Sequence, residues 1–434
     1  MFGRSLPASL VVLVLVVILG AVACAPPAEP PVTPSPMPEP SPSPTVEPES
    51  PLPTSPLPTP PSPLPSPTPE VEPALDRAVA LYAAGTPEDA SLYALTDDAT
   101  TADLDEAVHE WAAVSRDGRW FATSSSAPPA ERAMIFDLTT GNRYIVEVRA
   151  DFDVFGMAFD PEATRLVFLE LAQPGVEGLS WAIVVVDLED GSVVRLEGPV
   201  DPDSDLLPGN PMGWHGEELL ISTFIPYTDA IAEGIWAVSV PPGVTAVPVE
   251  ELEPREVLPG GSYLFQPRYS VEAARLLYLN RDFDYTPDDY EVFGFDLAVN
   301  ELWVLDLEDE SSELMVEETE GGALGADVAW SPDGESSLFA EGRYEGATFA
   351  FLDLRTVDAT GTVTDVAPIP LPADGDLISL DWCRPDTALV VVATADRVHE
   401  LQWVDLGSGE SSVIASDDVI SMIGCVERTG GGGE

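Results

Sequence analysis

The stretch Asp327–Gly342, "DVAWSPDGESSLFAEG", decides the fold. An alternating apolar run ends on Trp330, Ser331-Pro332-Asp333-Gly334 follows, and a second apolar run leaves it. Gly supplies the positive φ that a tight turn needs, while Ser and Asp bond the backbone beyond them. The segment reads as one β-hairpin.

Weaker copies of the hairpin recur along the chain. A bulky residue stands before the turn at Val114, Phe159, Trp214, Tyr269, Trp330 and Trp382, at intervals of about 45 to 61 residues. These intervals are in the range of propeller blades. Further along each unit an apolar strand ends in Asp-Leu and a turn: "AMIFDLTTG", "AIVVVDLEDG", "ELWVLDLEDE", "FAFLDLR" and "LQWVDLGSG". "IWAVSVPPG" is the degenerate member. With a short closing strand after it, each unit has four strands, and four-stranded units repeated in this way predict an all-β fold, a β-propeller. The recurrence of Trp214, Trp330 and Trp382 at one repeat position marks them as packing between blades.

"WSPDG" followed by a strand and "DL…G" resembles the WD-like repeats of TolB-type propellers over about Ala107 to Asp417. The resemblance implies the fold. The TolB protein has an extra N-terminal α/β domain where this sequence is expected to have only a stalk, so a TolB-like role does not carry over. Six units are complete. "RAVALYAAG" and "SLYALTDDA" near the N-terminus, joined to "DVISMIGCV" near the C-terminus, predict a seventh blade closed by pairing the chain ends. Such closure removes exposed strand edges. The alternative is six blades, with Pro73 to Ala84 as a helix and a second helix beginning at the Thr86 cap.

The organisation ahead of the propeller reads from composition. Residues 1–23 form a signal peptide: Arg4, an apolar core from Ala8 to Gly20, then Ala21-Val22-Ala23. Cys24 directly after a small residue resembles the lipobox of bacterial lipoproteins, which implies acylation of the Cys24 thiol. Ala21 departs from that pattern, where Leu is preferred. Ordinary cleavage after Ala23 and an uncleaved anchor are the alternatives. All three readings predict an extracytoplasmic chain, and the first a lipid-anchored one at the bacterial cell membrane. Residues 24–73 carry the Cys and a Pro/Ser/Thr-rich stalk such as "PLPTSPLPTPPSPLP". The stalk lacks the apolar residues for a core and is expected to stay disordered and extended, reaching roughly 150 Å at about 3.1 Å per residue. The propeller domain is expected over 74–429, with a Gly-rich tail over 430–434.

Charge narrows the partners. The net charge is -58, from 76 acidic and 18 basic residues, all of the latter Arg. Nucleic acid and anionic lipid headgroups need a basic footprint, so nucleic acid is a poor partner and anionic headgroups are disfavoured. A solvated acidic surface favours a soluble monomer. There are three His, and neither a His-x-x-x-His nor a Cys-x-x-Cys pair, which argues against zinc. A Gly-x-Ser-x-Gly elbow is missing too, so the chain is not a prolyl peptidase with a propeller in front. Carboxylate clusters are the metal candidates. Asp282, Asp284, Asp288, Asp289 and Glu291 in "RDFDYTPDDYE" offer hard oxygen ligands suited to calcium, as do Asp201, Asp203 and Asp205. No other cofactor is expected. Phe283, Tyr285 and Tyr290 lie in the same acidic loop and are the binding candidates. Cys383 and Cys425 fall near inner-strand ends in adjacent blades, where they form either a disulfide or two separate buried thiols.

The expected function is that of a surface- or envelope-tethered lipoprotein, anchored to the membrane by its lipid. Its propeller is expected to be a non-enzymatic scaffold that binds a protein, peptide or glycan through its loop face or central funnel. A calcium-dependent propeller hydrolase with carboxylates at the funnel, and a purely structural envelope component, are the alternatives. Carboxylates from several blades converging at one mouth would favour the hydrolase.

Overall fold

The computed structural model describes residues 75–427, apart from 87–88, 109–110, 126–131, 174–179, 199–207, 224–233, 242–245, 259–263, 281–300, 318–321, 346–347, 370–375, 395 and 397. The described chain is a seven-bladed β-propeller. It opens with β1 Ala78–Thr86, β2 Asp89–Thr96 and β3 Thr101–Val108. Blade 1 follows as β4 Ala112–Val114, β5 Trp120–Ser125, β6 Arg132–Asp137 and β7 Asn142–Glu147. Blade 2 is β8 Phe152–Phe159, β9 Arg165–Ala172, β10 Trp181–Asp187 and β11 Val193–Glu197. Blade 3 contains β12 Gly209–His215, β13 Glu218–Thr223 and β14 Gly234–Ser239. The short strand β15 Ala246–Pro248 then crosses back to pair in parallel with β11. A 3₁₀ turn at Val249–Leu252 leads to β16 Arg255–Leu258, which completes blade 3. Blade 4 is β17 Leu264–Ser270, β18 Arg275–Asn280, β19 Glu301–Asp306 and β20 Ser312–Glu317. Blade 5 is β21 Gly322–Trp330, β22 Ser336–Glu345, β23 Thr348–Asp358 and β24 Val363–Ile369. Blade 6 is β25 Asp376–Arg384, β26 Thr387–Ala393, β27 His399–Asp405 and β28 Ser411–Asp417.

The last strand, β29 Val419–Cys425, pairs antiparallel with β1, so blade 7 reads β29-β1-β2-β3. The chain ends therefore close the ring, as the sequence fragments predict. The helical alternative for Pro73 to Ala84 fails from Ala78 onward. Ala-rich "AVALYAA" favours a helix in isolation, but every one of these residues is buried and tertiary pairing overrides propensity.

The core consists of interfaces between blades. Successive side chains of a strand point to opposite faces. Ala388, Val390 and Val392 of β26 therefore pack on Leu338 and Leu354 of blade 5. Leu389 and Val391 pack on Val79 and Tyr82 of blade 7. Burial on both faces explains why "TALVVVA" is continuously apolar rather than alternating. Ile183 and Val185 against Val184 and Val186 of β10 repeat the pattern between blades 3 and 1.

The hairpin turns are encoded locally. In blade 5 the Ser331 hydroxyl donates to Asp333 at 2.6 Å and accepts the Ser336 N–H at 2.9 Å. Ser115, Asp117 and Trp120 repeat the arrangement in blade 1, at 2.6 and 2.8 Å. Gly118 must be Gly twice over: its φ is +68°, and an added Cβ would lie 2.4 Å from Val426. The Asp of the second motif likewise accepts turn amides at Asp137, Asp187, Asp306 and Asp405. Blade 5 departs from the expected register. Its strand β23 continues past the "DL" of Asp353-Leu354, and Asp358 accepts the Thr360 and Thr362 N–H groups instead.

Candidate site at the channel mouth

The inner strands β4, β8, β12, β17, β21, β25 and β29 contact one another in sequence and close on themselves around the axis. At the end where they enter the hairpin turns lies a cavity of about 260 Å³. Four blades line it. Arg268 and Glu272 come from blade 4, Trp330 from blade 5, Asp381 and Trp382 from blade 6, and Glu427 from just beyond β29. Trp330 also walls a second cavity of about 250 Å³ between blades 4 and 5, with Asp306, Asp309, Glu313, Glu335 and Asp358 around it. The two cavities share Trp330, and in the second the carboxylates outnumber the one cation, Arg275.

Arg268 and Asp327 organise the mouth. Asp327 on β21 is 2% exposed. Arg268 Nη2 donates to both its oxygens at 2.9 Å. Asp327 also accepts its neighbour's N–H, from Val328, at 2.9 Å and the Leu380 N–H of blade 6 at 2.8 Å. One carboxylate therefore ties blades 4, 5 and 6 together. The Trp330 indole N–H donates to the Arg268 carbonyl at 2.9 Å, a second link between blades 4 and 5.

Asp381 has a different environment. Among the described residues its carboxylate takes part in no hydrogen bond. Burial pushes its carboxyl up to about 6, with the Arg268 guanidinium opposing the rise and the Asp327 charge adding to it. A carboxyl raised from its ordinary value of about 3.9 holds its proton more tightly folded than unfolded. Stability then falls as pH rises from about 4 through 6, and stays low above that. The variant Asp381→Asn removes the charge and keeps the shape. It is expected to be more stable than wild type at pH 7.5, by on the order of 2–3 kcal/mol, and to lose that advantage by pH 4. Urea unfolding at the two pH values measures this, and an advantage independent of pH would contradict it.

Arg116 crosses the mouth. It sits in the hairpin turn of blade 1, yet bonds Glu272 of blade 4 on the far side of the ring and Glu427 of blade 7. Its backbone carbonyl accepts the Glu427 N–H at 2.7 Å. Carboxylates from several blades do converge here, with Arg116 and Arg268 set between them. Among the described residues no group of three or more His, Cys, Asp or Glu is placed to hold a metal ion.

The structure joins Cys383 and Cys425 in a disulfide, with Cα atoms 5.0 Å apart, and Cys425 lines the cavity. Of the aromatic column, Trp214 is fully buried between blades 2 and 3. Trp330 and Trp382 are only partly buried and have a cavity face as well. His399 bonds the backbone of Ile420, joining blades 6 and 7. Cys24, the loop residues Asp282, Phe283, Asp284, Tyr285, Asp288, Asp289, Tyr290 and Glu291, and Asp201, Asp203 and Asp205 lie outside the described residues, as does His109. Asn280 and Glu301, which flank the 281–300 loop, pair with each other at the opposite end of blade 4 from the mouth.

Sequence reasoning missed Arg268, Asp327 and Asp381. The signal for Arg268 and Asp381 was present in the repeat alignment. The position before the bulky column is Ala113, Ala158, Gly213 and Ala329 in four units, but Arg268 and Asp381 in the other two.

Fold and mouth together define a seven-bladed, ring-closed β-propeller with a mixed-charge, aromatic channel entrance. No family model matches the chain, and no curated protein does either. Solved structures share its fold. The β-propeller domain of the Trilobed protease from Pyrococcus furiosus is 13% identical with a TM-score of 0.50, covering 77% of this chain and 93% of that one. That domain is described as having an open velcro topology, whereas β29 on β1 closes this ring. TolB from Acinetobacter baumannii is 13% identical with a TM-score of 0.40, covering 68% of this chain and 63% of that one. An oligogalacturonate lyase in complex with manganese is 12% identical with a TM-score of 0.47, covering 77% and 84%. At such identities the likeness is one of fold, which hosts many unrelated functions.

Proposed function

We propose that the chain is an envelope-tethered lipoprotein whose propeller is a non-enzymatic binding scaffold, and that it receives a peptide segment of its partner at the channel mouth. The observation that carries this reading is the makeup of the entrance. Partly buried indoles of Trp330 and Trp382 stand beside carboxylates from separate blades, on walls fixed by inter-blade bonds. Aromatic anchors in a rigid acidic setting are the composition of a recognition surface. The second cavity, which shares Trp330, gives an extended segment further room. Acylation of Cys24 and the Pro-rich stalk supply the tether in this reading.

The test uses the full-length chain in cells. A photo-crosslinking side chain in place of Val271, exposed beside Glu272, is expected to capture an envelope component. The same side chain at Val413, exposed on the outermost strand of blade 6, is not. Equal capture from both positions, or none from Val271, would sink the reading. A rise of several degrees in melting temperature with millimolar calcium would instead favour the calcium-dependent hydrolase.

A further inference from the structure

We infer that the mouth cavity is a receptor for one arginine side chain of a peptide ligand, and that Arg116 is an internal competitor holding the same carboxylates. This rests on the scaffold reading and gives its ligand a chemistry.

The first observation is Arg116 itself. Its guanidinium reaches from blade 1 across the axis to Glu272 and Glu427, and both carboxylates also line the cavity. The rim therefore already grips a guanidinium. The grip is weak, because the side chains of Arg116, Glu272 and Glu427 remain 35%, 30% and 37% exposed. Pairs so open to water contribute about 0–1 kcal/mol each, so an incoming guanidinium can displace this one.

The second observation lies deeper and is independent of the rim. The Trp382 indole N–H is shielded from solvent with no acceptor among the described residues, and Trp382 walls the cavity. Next to it the Asp381 carboxylate has no hydrogen bond among the described residues, and its nearby cation Arg268 is already committed to Asp327. Asp381 is only partly buried, so its unmatched carboxylate is open to a partner from the cavity. An arginine side chain supplies donors for Asp381. Indole faces also attract guanidinium groups.

The cavity has room for one side chain. The cavity of about 260 Å³ is below the roughly 300–1,000 Å³ of sites that enclose small-molecule ligands. Calcium fits less well, since Arg268 and Arg116 stand among the carboxylates.

The experiment is isothermal titration of the full-length chain in detergent with three capped tripeptides: acetyl-Gly-Arg-Gly-amide, its lysine counterpart and its uncharged citrulline counterpart. The arginine peptide is expected to bind, lysine more weakly and citrulline not at all. Arg116→Ala is expected to tighten arginine binding at least tenfold by removing the competitor. Asp381→Asn is expected to weaken it at least tenfold while its melting temperature at pH 7.5 does not fall, which separates lost binding from lost folding. Equal binding of citrulline and arginine, or no effect of Arg116→Ala, overturns the inference. Capture of an envelope partner through Val271 that the arginine peptide cannot displace overturns it too, and leaves the scaffold reading standing.

Discussion

Deleting residues 419–434 abolishes cooperative unfolding of the propeller: this is the largest effect expected of any change to the chain. The segment supplies β29, the inner strand of blade 7. Six residues of it pair with β1 from Ala80 to Gly85. Ile420 and Val426 are buried in the interfaces with blades 6 and 1. Each is worth about 1.5–3 kcal/mol of burial. The Cys383–Cys425 bridge goes with the segment. It closes a loop of 42 residues, for which chain entropy gives about 4 kcal/mol. Together these losses are on the order of 10 kcal/mol, comparable with the whole stability of an ordinary domain at about 5–15 kcal/mol. Loss of the strand also leaves β1 as an open edge, a template for association. Circular dichroism on heating is the measurement. The double variant Cys383→Ser with Cys425→Ser keeps its strand, so it is expected to melt cooperatively at a lower temperature. A truncated chain with a sigmoidal transition close to the wild-type one would disprove ring closure as the keystone.

The contrast between hairpins and mouth shows what a sequence makes legible. Ser331, Asp333 and Gly334 build their turn from neighbours, so the residue types alone announce it. Even blade 7, assembled from both chain ends, was readable, because each fragment has the alternation or apolar run of its strand. The register of blade 5 was not. "DL" at Asp353 has the same form as the turn motif, but strand pairing carries on to Asp358. What separates Asp353 from Asp358 is which partner strand is still present, and that is a property of the sheet rather than of the motif. The mouth lies further still from local pattern. Arg268 and Asp327 are 59 residues apart, and Arg116 and Glu272 are 156 apart. Seven strand ends brought to one axis make neighbours of residues that share no sequence window.

The acidic excess takes on a specific meaning from the same geometry. Among the described residues most carboxylates are at least partly exposed, where charge favours solubility. The buried ones are matched to Arg: Glu170 bonds Arg149 and Arg195, and Glu341 bonds Arg355. Arginine suits this task, since its planar fork satisfies two carboxylate oxygens or two carboxylates at once. These pairs join strands within one blade, or a blade to the connector that enters it, and desolvation offsets much of their attraction. Asp381, only partly buried, lacks a bonded Arg among the described residues, and for that reason it is the carboxylate most suited to a ligand.

Asp327→Ala is expected to destabilise the domain by about 3–5 kcal/mol, the loss that follows when one partner of a buried ion pair is removed. Two buried amides, Val328 and Leu380, lose their acceptor at once. Arg268 loses its partner but is 39% exposed, so it can turn to water and hold the effect near the lower end. Asp327→Asn retains an acceptor for one amide while it gives up the charge, so it should fall between alanine and wild type. Asp358→Ala is the comparison. That carboxylate also accepts turn amides, but it bridges no blades and lies in an exposed turn, where the loss should be about 1 kcal/mol. Urea unfolding measures all three. The midpoint should drop in the order Asp327→Ala, Asp327→Asn, Asp358→Ala with little change in slope, since the surface exposed on unfolding stays the same. If Asp327→Ala proved no worse than Asp358→Ala, the carboxylate at the mouth would be one more turn residue. The blades would then be held together by their apolar faces alone.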